Sequence, residues 1–200
     1  MDIDLAALFL TFGAIFVVEL PDKTFLATLV LATKYRPILV WIGVGLAFLV
    51  QTTVAVLLGH AVSFLPEDIV RAAAGLMFLI GAVLLFREGR SHHQASEDEA
   101  EIAAKAKDVH GAKVILTSFL ILFAAEWGDL SQLLTISLVA KYKDPISVFI
   151  GALGALLAVS GLAVVSGRAL LKRISLHALH YVGAAVCLGL ALLTAYELLA

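Results

Sequence analysis

The sequence has little charge and almost no cysteine, and each scarcity excludes a class of protein. Only 15% of the 200 residues are Asp, Glu, Lys or Arg, and the formal net charge is −2. A charge this weak and this balanced gives no basis for nucleic-acid binding. The single cysteine, Cys187, cannot form a disulfide within the chain, and we predict that it is a small buried residue.

Hydrophobic residues make up 62% of the sequence, and the mean hydropathy is +1.02. Soluble domains contain about 45–50% apolar residues. A water-soluble fold of this size has too little interior to hide the excess, so we predict an all-α integral membrane protein in contact with lipid. The N-terminal stretch MDIDLAALFLTFG lacks the basic segment and cleavage site of a signal peptide. We expect it to begin a retained helix.

Six apolar stretches are long enough to cross a bilayer, since one crossing takes about 20 residues. They lie near 5–33, 38–60, 68–87, 113–140, 146–168 and 176–198. The first and fourth are longer than one crossing needs, so we expect these two to be tilted or broken. The polar stretch between the third and fourth divides the chain into 1–87, a linker at 88–112, and 113–200. We interpret His92, His93 and His110 in this stretch as solvated linker residues rather than as a metal site.

The two halves of the chain repeat each other. At an offset of 107 residues the pairs are Glu19 with Glu126, Asp22 with Asp129, Thr24 with Ser131, Thr28 with Thr135, Lys34 with Lys141, and Tyr35 with Tyr142. At an offset of 108, four glycines recur: Gly43 with Gly151, Gly59 with Gly167, Gly75 with Gly183, and Gly81 with Gly189. A unit with three spans forces its second copy into the opposite orientation. We therefore predict two inverted three-helix repeats, the plan of many secondary transporters.

The distribution of lysine and arginine predicts the orientation. Apart from Lys23, ten of these cations flank the helix ends on the side of the central linker and three flank the other side. By the positive-inside rule, the linker is cytoplasmic and both termini face outward. Glycines at 43, 45, 151 and 154 suit close helix packing in lipid. Glycine-rich faces also allow a homodimer without requiring one.

Ionisable residues occur within the two longest apolar stretches. The first contains VVELPDKTF at 17–25, and the fourth contains AEWGDLSQ at 125–132. Glu19 and Asp22 are three residues apart, so a helix places them on one face, and Glu126 and Asp129 repeat the spacing. Each acid at the centre of a membrane helix costs about 2.5–3.5 kcal/mol. Protons, internal cations or a metal ion must offset that cost.

The residues around these acids offer oxygen ligands only. The four carboxylates, the hydroxyls of Thr24 and Ser131, and the amide of Gln132 suit hard divalent ions such as Ca²⁺, Mn²⁺ and Mg²⁺. Zn²⁺ and Cu⁺ fit less well, because neither Cys nor His accompanies the motif. Pro21 and Gly128 permit local breaks that expose backbone oxygen. The same carboxylates can carry protons, so metal entry would expel protons and protons would help to expel metal, as in an exchanger.

Other polar residues near the motif have two interpretations each. Lys23 is either an internal counter-ion, for instance to Asp129, or a side chain that extends to the membrane surface. Gln51 either lines the ion path or makes polar contacts between helices. The same two interpretations apply to its neighbours Thr52 and Thr53. We interpret Trp127 as a packing residue rather than a ligand.

With these motifs the chain resembles the Gdt-type cation/proton exchangers, which are manganese and calcium transporters. The family pattern is Glu-x-Gly-Asp-(Lys/Arg)-(Thr/Ser), once in each half, and here it reads Glu19 to Thr24 and Glu126 to Ser131. The resemblance covers essentially the whole chain. It implies that Glu19, Asp22, Glu126 and Asp129 bind the cation, Mn²⁺ or Ca²⁺, with help from Thr24, Ser131 and Gln132. It also implies a transporter that exports metal from the cytoplasm, not an enzyme, with no resident cofactor.

The chain departs from the family pattern at two positions. Pro21 replaces the usual glycine, and Leu130 replaces the usual basic residue, so the second half loses a cation. The short chain without a targeting extension is typical of a bacterial protein, and we expect it in the plasma (inner) membrane. Two other functions stay open at this point. One is export of a small amino acid or another cation, and the other is intramembrane proteolysis by Asp22 and Asp129.

Overall fold

The computed structural model describes residues 3–20, 22–90, 109–171 and 176–199, and within them the chain forms eight α-helices and no strand. The helices are α1 (Leu5–Glu19), α2 (Lys23–Lys34), α3 (Pro37–Val62), α4 (Glu67–Glu88), α5 (Ala112–Ala125), α6 (Leu130–Tyr142), α7 (Pro145–Leu171) and α8 (Leu176–Leu199). These bounds follow the six predicted apolar stretches closely. His92 and His93 lie outside the described residues, and His110 is exposed.

The first and fourth apolar stretches are each broken into two helices, which is one of the two forms, tilted or broken, that their excess length predicts. Helices α1 and α2 meet at 68°, and α5 and α6 meet at 72°. Helices α3, α4 and α7 are long and apolar enough to cross a membrane, and the number of spans rises to five if each bent pair counts as one. In α8 the apolar segment His180–Tyr196 is shorter. The prediction of an all-helical membrane protein is confirmed, while six crossings and the inverted orientation stay predictions.

Short-range signals fix where the helices begin and end. The Asp4 carboxylate accepts hydrogen bonds from the backbone N–H groups of Ala6 and Ala7 and so caps α1. Helices α3 and α7 both begin at a proline, which suits the first turn because proline has no N–H to leave unpaired. Helix α6 ends at Tyr142, because the next residue, Lys143, has a φ of 55° that breaks the helical path.

The two halves pack against each other through equivalent contacts. Helix α3 lies against α5, where a Cβ on Gly43 would come within 2.9 Å of the Cβ of Ser118. Helix α7 lies against α1, where a Cβ on Gly151 would come within 3.0 Å of the Cβ of Thr11. These residues correspond to one another in the sequence repeat. The repeat therefore places the first helix of each broken pair against the long helix that follows the broken pair of the other half.

The outer surface of the bundle is apolar. Phe64, Val165 and Leu192 are among many large hydrophobic side chains that are mostly exposed. A contiguous apolar exterior of this extent belongs in lipid rather than in water. Cys187 is fully buried, so the prediction of a buried residue is confirmed.

Candidate metal centre

Both acidic motifs lie where a helix breaks. Glu19 is the last residue of α1, and Asp22 immediately precedes α2. Glu126 directly follows α5, and Asp129 caps the N-terminus of α6. Gly128 has a φ of +78°, which residues with a Cβ rarely adopt. Each half thus presents one acid at the end of a helix and one at the start of the next.

The second break is held by its own side chains. The Asp129 carboxylate accepts hydrogen bonds from the backbone N–H groups of Ser131 (3.2 Å) and Gln132 (3.0 Å) and from the Ser131 hydroxyl (2.9 Å). The side-chain oxygen of Gln132 accepts a hydrogen bond from the N–H of Gly128 at 2.8 Å. Ser131 and Gln132, both predicted to assist metal binding, therefore fix the position of Asp129.

The four carboxylates meet at one place. One oxygen from each of Glu19, Asp22, Glu126 and Asp129 lies within 4.8 Å of the others. The two glutamates are 0% and 2% exposed, and the two aspartates are half-buried. Two residues come from each half, so neither half holds the centre alone. The sequence repeat predicts this convergence, since a two-fold relation brings equivalent residues to a shared axis.

Several carboxylate oxygens in the centre lack a hydrogen-bond partner within the described part of the chain. They are both oxygens of Glu19 and Oε2 of Glu126. The hydroxyls of Thr24 and Ser131 lie near Glu19, but each has one proton and donates it elsewhere, to Glu126 and to Asp129 respectively. A buried polar atom without a partner costs about 1–3 kcal/mol, and more if it is charged. The centre therefore requires protons or a cation to neutralise it.

A hydrogen bond joins the two motifs directly. The Thr24 hydroxyl, from the first half, donates to Oε1 of Glu126 in the second half. The equivalent hydroxyl of Ser131 instead donates to Asp129 in its own half. The two halves are thus similar in sequence but differ in the bonds that their hydroxyls make.

The Gln51 amide contacts a helix end rather than a carboxylate. Its side-chain N–H donates to the carbonyl oxygen of Phe123 at 3.0 Å. Phe123 lies in the last turn of α5, where the break deprives carbonyl groups of intrahelical partners. Of the two interpretations left open for Gln51, the polar contact between helices matches this bond. Thr53 is exposed and donates to Leu49 within its own helix.

The structure tests the interpretations of the remaining motif residues to different extents. Pro21 lies outside the described residues, and only the backbone of Lys23 is described, so the two interpretations of Lys23 stay open. Leu130 lies against α4, where a Cβ on Gly81 would come within 3.0 Å of it. The ring of Trp127 is 59% exposed and lies 5.0 Å from the ring of Phe123, in agreement with a packing role.

A cavity of about 230 Å³ reaches the centre from one side. Asp22 and Asp129 line it, together with residues of α1, α4 and α6. Its wall also contains Glu88, at the last turn of α4, which sequence analysis did not identify as a site residue. The only sequence signal for Glu88 is its position at the end of an apolar stretch. That signal is weak, because acids are common at the ends of membrane helices.

The chemistry of the centre is that of a hard-cation site. Its described residues offer carboxylate oxygens from four side chains and nearby hydroxyls, without sulfur or imidazole, which is the ligand set that Mg²⁺, Ca²⁺ and Mn²⁺ prefer. The same oxygens accept protons. An apolar helical bundle with such a centre between two similar halves is a membrane transporter for cations.

Sequence comparisons agree with this class and identify the family. The sequence model described as "Divalent cation/proton antiporter GDT1" matches residues 7–93 and 114–200. The two matched ranges start 107 residues apart, which is the offset of the acidic motifs. The chain belongs to the GDT1 family of divalent cation/proton antiporters. It is therefore a transporter rather than an enzyme, which leaves no place for the proteolytic alternative.

Individual relatives extend over most of the chain. A GDT1-like protein of Synechocystis is 35% identical over 78% of this chain and 81% of its own length. The chain is similar to GDT1-like protein 3 of Arabidopsis thaliana, with 31% identity over 92% of this chain and 68% of the relative. It is also similar to chloroplastic protein PAM71 of the same plant, with 32% identity over 94% of this chain and 56% of the relative. No solved structure matches the chain.

Proposed function

We propose that this antiporter exports Mn²⁺ or Ca²⁺ from the cytoplasm in exchange for protons, and that Glu19, Asp22, Glu126 and Asp129 bind the ion. The proposal places the protein in the plasma membrane with its central linker in the cytoplasm. The observation that carries it is the convergence of four carboxylates within 4.8 Å, two from each half. Family membership supplies the class of exchange, and the centre supplies the ligands.

Competition for the same oxygens explains the coupling. A carboxylate that binds a proton loses the negative charge that attracts a divalent ion, and a bound divalent ion repels protons. Glu19 and Glu126 are almost fully buried, so leaving them ionised without a cation is costly. Protons therefore occupy the centre when metal leaves. Release of two protons for each divalent ion would keep the charge of the centre balanced.

The two breaks give the centre a means of changing access. Each break separates an acid at a helix end from an acid at the next helix start, so a change of angle between the helices moves one acid relative to the other. Thr24 and Glu126 connect the breaks, which couples the movement of the two halves. Alternating access of this kind is typical of transporters with repeated halves.

A transport assay tests the proposal. Purified protein is placed in liposomes that contain a pH-sensitive dye, and Mn²⁺ or Ca²⁺ is added with and without a membrane potential. We expect protons to move in the direction opposite to the metal ion. This proton movement should be lost in Glu19→Gln and in Glu126→Gln. Asp68→Asn is the matched control, because this exposed acid of α4 lies outside the centre. Exchange that persists in both glutamine variants would contradict the assignment of the site.

The assay also addresses the cargo. The initial rates with Mn²⁺ and Ca²⁺ at equal concentration give the preference between the two ions. Metal uptake without proton movement would contradict exchange and would indicate a uniporter in which the acids form a selectivity ring. A small amino acid that drives proton movement in place of the metal would overturn the proposed cargo.

A further inference from the structure

The cavity that reaches the metal centre runs along one face of α4. Met77, Ile80, Leu84 and Glu88 line it at spacings of three and four residues, which place them on the same side of a helix. At 1.5 Å per residue, the eleven steps from Met77 to Glu88 extend about 16 Å. The cavity therefore connects the Asp22 and Asp129 carboxylates with the end of α4 that joins the polar linker.

The charged residues that line this cavity are all acidic. They are Asp22, Asp129 and Glu88, and every other lining residue is apolar or glycine. Low-dielectric walls with charges of one sign focus the electric field and concentrate the opposite ion. Such a cavity attracts cations and excludes anions along its length.

Glu88 lies beside a histidine of the neighbouring helix. Its carboxylate lies 3.7 Å from Nε2 of His180 in α8, and the side chains are 42% and 14% exposed respectively. The helices can approach here because the next residue is Gly89, where a Cβ would come within 3.2 Å of the Cβ of His180. His180 is thus placed beside a carboxylate that still contacts solvent, where it can orient that carboxylate.

We propose that Glu88 is the entry site for the divalent cation, where it binds before it moves along the cavity to the four-carboxylate centre. This inference rests on the proposed function. His180 acts as a positioning residue that holds Glu88 at the mouth of the cavity. Because α4 ends at the linker predicted to be cytoplasmic, the cavity is the cytoplasmic access path. Glu88 raises the capture rate of metal and takes no part in the exchange of protons at the centre.

Initial rates of metal-driven proton movement in proteoliposomes test the entry site. We expect Glu88→Gln to raise KM for Mn²⁺ roughly threefold to tenfold at low ionic strength, with kcat little changed. The difference should shrink at high salt, because salt screens a solvent-exposed charge. Asp68→Asn, at the opposite end of α4, should leave KM at the wild-type value. A Glu88→Gln variant with unchanged KM at low salt would overturn the proposal.

His180→Gln separates positioning from a structural role. If His180 only orients Glu88, its replacement raises KM less than Glu88→Gln does and adds nothing in the double variant. A fall in kcat in His180→Gln, or an additive effect in the double variant, would contradict the positioning role.

Thiol labelling tests the path itself. Leu84→Cys, made in a Cys187→Ala background, places a thiol on the cavity wall between Glu88 and the centre. We expect a positively charged, membrane-impermeant thiol reagent to label it from the linker side, with Mn²⁺ slowing the reaction. Absence of labelling in a variant that still transports would show that ions do not pass here.

The two proposals fail in distinguishable ways. If wild-type protein exchanges metal for protons while Glu88→Gln behaves as wild type, only the entry site is wrong. If Glu19→Gln and Glu126→Gln retain exchange, the proposed centre is wrong whatever Glu88 does.

Discussion

The hydroxyl of Thr24 donates a hydrogen bond to the carboxylate of Glu126, and this bond joins the acidic motif of one half to that of the other. Both side chains are buried, at 1% and 2% exposure. The bond leaves the second oxygen of Glu126 without a partner in the described part of the chain. One oxygen is thus positioned by the opposite half, while the other is directed to a proton or a cation.

Replacement of Thr24 tests the importance of this bond. We expect Thr24→Val to weaken Mn²⁺ binding about tenfold, because a hydrogen bond to a charged group contributes about 1.5–3 kcal/mol. Thr24→Ser keeps the hydroxyl and should stay close to wild type. Titration calorimetry in detergent measures both affinities. Equal affinity in the valine and serine variants would show that the hydroxyl does not position Glu126.

The bond from Gln51 to the Phe123 carbonyl should stabilise the end of α5. We expect Gln51→Leu to lower the free energy of unfolding by roughly 1 kcal/mol, since a partly buried carbonyl oxygen loses its donor. Thr53→Val is the control, because Thr53 is exposed and bonds within its own helix. Thermal unfolding in detergent compares the two variants. Equal midpoints would contradict a structural role for the Gln51 amide.

The break before α6 depends on glycine at position 128. Its φ of +78° is unfavourable for any residue with a Cβ, although a Cβ there would meet no other atom within 4 Å. Gly128→Ala should therefore destabilise the protein by about 1–2 kcal/mol through backbone strain alone. Gly189→Ala also meets open space but lies within a helix, where alanine is preferred. A Gly128→Ala midpoint at or above that of Gly189→Ala would contradict the strain argument.

Much of this arrangement follows from the sequence, because the repeat and the burial cost of acids are local signals. Glu19 and Asp22 within an apolar stretch too long for one crossing predict a broken helix, and their copies at 126 and 129 predict a second. The contact between Gln51 and Phe123 depends on the register of two separate helices, which no local pattern specifies. The place of Glu88 on a cavity wall depends likewise on how α4 packs against α6 and α8.

A pH-dependent contact joins the starts of α1 and α7. The hydroxyl of Ser147 and its backbone N–H donate to the Asp144 carboxylate, and the N–H of Asp4 donates to it at 3.3 Å. The Ser147 hydroxyl is the main cause that lowers the pKa of Asp144 below its usual 3.8, and the backbone donors add to it. A lowered pKa means that the ionised form stabilises the folded state.

This stabilisation is fully present above the unfolded pKa and is lost as the pH falls through the lower folded pKa. Asp144→Asn should therefore unfold at a lower temperature than wild type at pH 6, and the gap should close as the pH falls through the lowered pKa of Asp144. The gain is small because Asp144 is only partly buried, so water screens its charge. Melting curves across this pH range check the expectation. A difference in melting temperature that widens as the pH falls would contradict it.

Direct binding of Mn²⁺ to the purified protein is the most direct test of the central claim that the four carboxylates form one metal site. Calorimetric titrations in two buffers with different ionisation enthalpies give the number of ions bound and the number of protons released. We expect one Mn²⁺ bound per chain with release of protons, and loss of both signals in Glu19→Gln and in Glu126→Gln but not in Asp68→Asn. Unchanged binding in the two glutamine variants, or binding without proton release, would contradict it.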